Sequence, residues 1–328
     1  MEIPTQLQQY TWRALREDDA LQIQAMVNAS VEVDKAEAGI TPERVQQLFA
    51  MLGDNVGRDT LTAVTNDGTI AALALVLAPP QDDEHLAMIS GLVHPAYRNL
   101  GIGSHILEWM ETRARQKFSQ LNDSKPQVLR TSCQDYMADR IALFEQHDFE
   151  AVRYSYKMRR GLAVPLPEKP FPDGLQIINW TPEWDDDLRQ TFNEAFSQQW
   201  GLPTMTEELW QQFFVGMPQF RSDLTYLAMD GDTIVGFCLN WVDEPKNKQS
   251  GIGEGWIEAV GTLPAWRGQG LASALLVHSM KAFVTEGLDH AGLDVDTQNP
   301  TGALRLYENL GFEALKRTVI FNKRLNST

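Results

Sequence analysis

The sequence predicts an α+β (mixed α/β) fold of two tandem domains, each a twisted, mixed, mostly antiparallel sheet with helices on both faces. Three observations predict it: an internal repeat, a proline-rich break between its copies, and a strand–turn–helix crossover within each copy. Pro95, Ala96, Tyr97, Arg98 and Gly101 recur as Pro264, Ala265, Trp266, Arg267 and Gly270, all at an offset of 169. Farther on, Phe149-Glu150-Ala151 recurs as Phe312-Glu313-Ala314 at an offset of 163. The first copy therefore holds six more residues between these landmarks, expected in the loop from Ser119 to Pro126. Between the copies, residues 161–174 carry Pro165, Pro167, Pro170 and Pro172, which can continue neither a helix nor a central strand. The expected division is residues 1–160, a linker at 161–174, and residues 175–328.

Each copy opens with a short strand, expected over Thr11 to Leu15 and over Leu175 to Ile178. A helical stretch follows, and Thr41-Pro42-Glu43 and Thr206-Glu207-Glu208 read as starts of a second helix with Thr as cap. Next come hairpins. Leu61 to Thr65 and Thr69 to Ala71 flank Asn66-Asp67-Gly68, and Tyr226 to Met229 and Thr233 to Val235 flank Asp230-Gly231-Asp232. Both turns have the Asp-Gly chemistry that tight hairpins need. A third strand runs into the glycine turn, and a long helix follows with apolar Ile102, Ile106, Trp109 and Met110 in one copy and Leu271, Leu275 and Ala282 in the other. A strand, a short helix and a last strand close each copy.

Composition narrows the function. The 328 residues include 28 basic and 44 acidic side chains, a formal charge of −16, which excludes the basic footprint of a nucleic-acid binder or a membrane-surface helix. With 43% hydrophobic and 22% charged residues the chain is of ordinary globular type. Its first residues lack a basic stretch followed by an apolar one, and the longest apolar run, Ile70 to Pro80, is too short to span a bilayer. Cys133 and Cys238, the two cysteines, are expected as buried free thiols, which fits a cytoplasmic protein.

The segment Arg-x-x-Gly-x-Gly/Ala lies between a strand and a helix in both copies: Arg98, Asn99, Leu100, Gly101, Ile102 and Gly103 in one, Arg267, Gly268, Gln269, Gly270, Leu271 and Ala272 in the other. Small residues there let backbone N–H groups converge, and the following helix start adds its positive end, so the turn can cradle phosphate. A dinucleotide fingerprint would need a third Gly and a Walker loop would need Gly-Lys-Ser/Thr; both are missing.

Both copies resemble the GNAT superfamily of acyl-CoA-dependent N-acyltransferases, whose signature is Gln/Arg-x-x-Gly-x-Gly/Ala. The stretch Asn299 to Phe312, with Ala303, Tyr307 and Gly311-Phe312, is similar to that family's ending. The resemblance implies a sheet splayed at its middle, with the pantetheine of acetyl-CoA between two parallel strands. It further implies Tyr307 as general acid for the departing thiolate, a base carboxylate on the strand before the turn, and Asn299 and the Val260 N–H among the cofactor contacts. On that strand Glu254 and Glu258 share a face by alternation, and both are candidates for the base.

The first copy departs from the pattern. Phe144 stands at the place of Tyr307, and His85 and Ile89 stand at those of Glu254 and Glu258. It is expected to bind CoA without catalysing. For the acceptor, a small-molecule or peptide amine, Trp200, Trp210, Phe213 and Phe214 could line a pocket. Asp294-Val295-Asp296 has the spacing of a metal-binding pair, but no histidine pair accompanies it and no metal is expected. Two alternatives stand beside direct acetyl transfer: a CoA-binding sensor without turnover, and transfer of a longer acyl group.

Overall fold

A computed structural model describes residues 2–35, 39–121, 123–299 and 301–325. The chain forms two compact units, but their borders are not those expected from the repeat. One comprises residues up to Arg153 together with those from Thr318 onward; the other runs from Tyr154 to Arg317.

In the first unit, strands β1 (Thr11–Arg13), β2 (Thr60–Val64), β3 (Ile70–Leu77), β4 (His85–Val93) and β5 (Gln127–Gln134) lie side by side in chain order. Helices α1 (Ala20–Ser30), α2 (Pro42–Leu52) and α3 (Val56–Asp59) fall between β1 and β2, α4 (Ile102–Phe118) joins β4 to β5, and α5 (Ala138–Gln146) follows. In the second unit, β7 (Gln176–Asn179), β8 (Tyr226–Asp230), β9 (Thr233–Val242), β10 (Glu254–Thr262) and β11 (His290–Asp296) repeat that order. Its helices are α6 (Asp185–Ala195), α7 (Glu207–Trp210), α8 (Glu244–Ser250), α9 (Leu271–Thr285) and α10 (Ala303–Asn309). In both sheets one pair is parallel, β4 with β5 and β10 with β11, bridged by the long helix α4 or α9.

The sixth strand of each sheet corrects the expected boundaries. β6 (Glu150–Gly161) closes the first copy in sequence, yet its residues 155–161 pair with β11 of the second unit. β12 (Glu313–Leu325) closes the second copy, yet its residues 318–325 pair with β5 of the first. The physical reason lies in the repeat itself. Both strands begin at the Glu of the same Phe-Glu-Ala and so hold equivalent places in the two copies, which is what lets each complete the other's sheet. Residues 162–175 after β6 carry no regular element, as four prolines dictate.

Local readings fare as chemistry would have it. Thr41 and Thr206 accept hydrogen bonds from the N–H groups of Arg44 (3.4 Å) and Leu209 (3.3 Å), capping α2 and α7. The β8–β9 hairpin turns on Gly231, whose φ of +58° is open to glycine at little cost. Of the six additional residues in the first copy, two lengthen α4 relative to α9 and four lengthen the following connection. Cys133 and Cys238 are free and buried, and burial pushes their thiols up to about 11 and about 12.

Side chains of β8 alternate between two cores. Tyr226 and Ala228 pack with Leu271, Leu275 and Phe283 of α9, while Leu227 and Met229 pack with Leu188 and Phe192 of α6 and Trp210 of α7. The central strands of the second unit are thus buried on both faces, with helices on each, and α9 is anchored so that its N-terminus meets the end of β10.

Candidate active site

The parallel ladder between β10 and β11 is short. It joins Glu254, Gly255 and Trp256 to His290, Ala291 and Gly292 and then stops. Past that point β10 stays with β9 while β11 stays with β6, so the two strands part. The opening is a cleft of about 710 Å³, lined on the β10 side by residues 258–262 and on the β11 side by residues 294–296. Backbone groups along the inner edge of β10 lose their ladder partners there. The N–H of Leu263 points to β9, where it bonds the carbonyl of Val235 at 3.0 Å. Because N–H direction alternates along a strand, the N–H of Val260 points the other way, into the cleft.

At the mouth of the cleft lies the glycine turn. Gly268 and Gly270 adopt φ of +75° and +83°. The first helical bond of α9 runs from the Ala274 N–H to the Gly270 carbonyl at 3.0 Å, which leaves the N–H groups of Leu271, Ala272 and Ser273 without a partner in the helix. Gly268, Gly270, Leu271 and Ala272 all line the cleft; Gln269 instead folds back, its amide donating to the Ala265 carbonyl at 3.0 Å. The arginine also has other business. Arg267 lines the cleft, but its guanidinium donates to the Ala195 carbonyl at the end of α6 (2.9 Å), so its visible task is to pin α6 to the turn. A phosphate here would be held by main-chain donors.

A bulge gives the two glutamates different surroundings. Pairing of β10 with β9 slips by one residue between Ile257 and Ala259, so Glu258 is the extra residue of a β-bulge. The slip breaks the alternation that would have put Glu254 and Glu258 together. Glu258 lines the cleft and accepts the indole N–H of Trp256 at 3.1 Å. Glu254 does not line it. It is 4% exposed and meets Arg159 at 2.6 Å, Lys246 at 3.3 Å and Lys157 at 3.8 Å. Burial penalises its charge, yet the Arg159 hydrogen bond and the fields of the three cations outweigh that, holding the carboxyl below its ordinary range.

Tyr307 reaches the cleft from α10, with its ring edge-on to Phe312 at 6.0 Å. It is 8% exposed, and burial raises its phenol well above the ordinary value, with the neighbouring Cys238 adding to the effect. Asn299 lines the cleft too and donates to the Gln199 amide oxygen at 3.2 Å.

Of the four aromatics expected around an acceptor, Phe214 alone lines this cleft. Trp210 is fully buried and donates its indole N–H to Asp185 at 2.8 Å; Phe213 is exposed on the surface, and Trp200 lies outside the lining. Phe192, Phe196 and Leu202 take the lining places instead. The spacing of Phe192 and Phe196, one turn apart at the end of α6, was the signal for them. Arg159 and Lys157 had no such signal, because they belong to a strand counted with the first copy. Asp294 and Asp296 line the cleft, and among the described residues no three of His, Cys, Asp and Glu come together as metal ligands would.

The first unit repeats the frame without a glutamate or tyrosine at the matching places. Its cleft is larger, about 940 Å³, and is lined by Arg98, Asn99, Gly101 and Gly103 but not by Leu100 or Ile102. Asn99 takes the left-handed place of Gly268 at φ +62°, which Asn tolerates, and Gly101 that of Gly270 at +81°. Arg98 is locked to both carboxylate oxygens of Asp34 at 2.7 and 2.8 Å. Phe144 packs against Phe149 and Phe321, Ile89 sits in an unbroken β3–β4 ladder, and His85 bonds Asp123 away from the cleft.

Residues 27–130 and 185–312 each match the model of the acetyltransferase (GNAT) family. The chain is 30% identical to the mycothiol acetyltransferase of Thermomonospora curvata over 295 residues, 89% of either chain. It is 27% identical to the mycothiol acetyltransferase of Thermobispora bispora over 307 residues, 91% of this chain and 94% of that one. A solved GCN5-related N-acetyltransferase from Sphaerobacter thermophilus superposes with a TM-score of 0.78 at 26% identity, covering 99% of this chain and 98% of the other.

Proposed function

The chain belongs to the acetyltransferase (GNAT) family, and from that premise we propose that its second copy carries the acetyl group of acetyl-CoA to a primary amine of a small molecule. The observation that carries this reading is the cleft itself. At the parting of two parallel strands it gathers a main-chain phosphate nest, the inward N–H of Val260, the carboxylate of Glu258 and the phenol of Tyr307.

Each group answers a need of the reaction. An alkylammonium titrates near 10 and must lose a proton before its nitrogen can attack. Glu258, directly or through water, accepts that proton. The nitrogen lone pair then forms a bond to the thioester carbon, and the Val260 N–H stabilises the developing oxyanion. When the C–S bond breaks, its electron pair leaves with sulfur, Tyr307 supplies the proton that makes CoA-SH, and the second proton lost by the acylated nitrogen restores the phenol. Burial keeps that phenol protonated across physiological pH, so the donor is always charged with its proton.

Catalysis is assigned to the copy at residues 175–328, completed by the exchanged strand β6. The copy at residues 1–160 keeps the glycine turn without a carboxylate or phenol at the matching places, and its assigned role is CoA binding without turnover. Phe144→Tyr is accordingly expected to add no turnover, since Ile89 still supplies no base; thiol release by a Tyr307→Phe/Phe144→Tyr double variant at the level of Tyr307→Phe alone would bear this out. The cytoplasm is the assigned location, supported by free buried Cys133 and Cys238. Among the described residues no helix is long and apolar enough to cross a membrane.

The acceptor end supports a cationic amine with an apolar flank. Phe192, Phe196, Leu202 and Phe214 provide the flank, and Glu258, Asp294 and Asp296 the negative field. The direct experiment follows free thiol release from acetyl-CoA against glucosamine, putrescine, a free dipeptide and mycothiol stripped of its acetyl group. Acetylation of an amine supports the reading. CoA binding without thiol release from any of them favours a sensor, and release from longer acyl-CoA alone corrects the donor.

A second result follows from the nest. A carboxylate at its centre repels phosphate, and a side chain at φ +83° is strained by about 1–2 kcal/mol. Gly270→Asp is expected to raise the KM for acetyl-CoA about tenfold or more while kcat changes far less. An unchanged KM would remove the turn from the cofactor site.

A further inference from the structure

Trp256 has no place in the reaction as set out above and does not line the cleft, yet it bonds a residue that does. Its indole N–H donates to Glu258 at 3.1 Å from two residues back, across the start of the bulge. Its ring lies over Gly292, the last residue to which β10 is paired in the parallel ladder. A Cβ at Gly292 would stand 2.7 Å from the indole and 2.8 Å from Glu254 Oε1, so the ring and that carboxylate together take the space that a side chain on β11 would fill. The ammonium groups of Lys157 and Lys246 lie 5.6 and 5.8 Å from the ring centre, within cation–π range. The same lysines, with Arg159, hold the buried Glu254.

The first copy supplies an internal control. At the places of Trp256 and Gly292 it has Ala87 and Leu129, which face each other in the matching β4–β5 ladder. Large-over-small has become small-over-large. In that copy the bulge is missing and Ile89 stands where the carboxylate would be. The indole, the glycine that admits it, the bulge and the carboxylate are therefore present together in one copy and absent together in the other.

We propose that Trp256 is a positioning residue whose indole N–H holds the Glu258 carboxylate in the orientation and charge state from which it takes the acceptor's proton. The inference rests on the reading of Glu258 as the base. A donor hydrogen bond stabilises the ionised carboxylate, so its loss moves proton acceptance to higher pH. The charged groups on the elements around Glu258 stay in place when the indole is changed: Glu254 on its own strand with its partners Lys157 and Arg159 on β6 and Lys246 on α8, and Asp294 and Asp296, which line the cleft from β11.

Trp256→Phe keeps a ring over Gly292 and removes the N–H. With the panel amine that is acetylated fastest, the acidic limb of kcat/KM is expected to move up by about half to one pH unit. The KM for acetyl-CoA and the rate on the alkaline side should stay near wild type. In a Glu258→Gln background the same change should have no further effect. Trp256→Leu, which also removes the N–H and leaves Gly292 and Glu254 untouched, gives a second route to the same shift should Trp256→Phe fold poorly. An unmoved acidic limb, an equal loss at every pH, or an undiminished effect in the Glu258→Gln background overturns the inference. Loss of the base reading is told apart by Glu258→Gln alone: if that variant keeps the wild-type acidic limb, Glu258 is not the base and the role of Trp256 falls with it.

Discussion

Tyr307→Phe is expected to lower kcat for thiol release by about 10²-fold or more, the usual worth of a positioned acid. The KM for acetyl-CoA should hardly move, because Phe keeps the ring and its edge-on contact with Phe312. Packing is preserved as well, so thermal stability should hold within a few degrees, and the loss cannot be put down to unfolding. The pH profile offers a second check. Burial raises the phenol above its ordinary value near 10, so the wild-type enzyme should show no alkaline decline from this group below about pH 10. Near-wild-type turnover in Tyr307→Phe would sink the assignment of Tyr307 as the acid.

The two glutamates of β10 are expected to fail in opposite ways when each is changed to Gln. Glu258→Gln should cut kcat by about 10² or more and leave the melting temperature nearly unchanged, as befits a half-buried residue lining an open cleft. Glu254→Gln should destabilise the protein by about 3 kcal/mol, because Arg159, Lys157 and Lys246 would face one another without their carboxylate. The sign with pH is fixed by the direction of the shift. The folded-state value of Glu254 lies below the unfolded one, so its contribution is present above the unfolded value, about 4.3, and is lost as pH falls through the folded one. Acid denaturation of Glu254→Gln should therefore be less steep than that of wild type at the same temperature. A Glu254→Gln enzyme that is stable but inactive would reverse the assignment of the two residues.

What could be read from sequence was what is local. The helix caps at Thr41 and Thr206, the Gly231 hairpin and the strand–turn–helix setting of Gly268 and Gly270 depend on a few adjacent residues, and all were legible. The glycine turn and Tyr307 could be found because the repeat and the family pattern marked them. The choice between Glu254 and Glu258 could not. It turns on a one-residue slip against β9 and on three cations, two of them carried by β6 from outside the second copy. The two arginines of the motif were expected beside phosphate, but an acceptor elsewhere in the fold claims each: Asp34 for Arg98 and the Ala195 carbonyl for Arg267. A side chain's partner across the fold leaves no mark in its own neighbourhood of the sequence. The exchanged final strands escaped for a related reason, since two equivalent strands carry no label saying which sheet they complete.

That exchange bears on how the protein comes to be made. During synthesis from the N-terminus, the edge of β5 waits for residues 318–325, which leave the ribosome after β7 to β11. The second sheet can close once residue 317 has emerged, whereas the first, although translated earlier, is finished later. Cutting the gene at residues 161–174 would then yield no pair of self-sufficient halves. One piece would carry β6 without its β11 partner, and the other would carry β12 without β5. Each half of the chain thus ends in the strand that the other half's sheet uses.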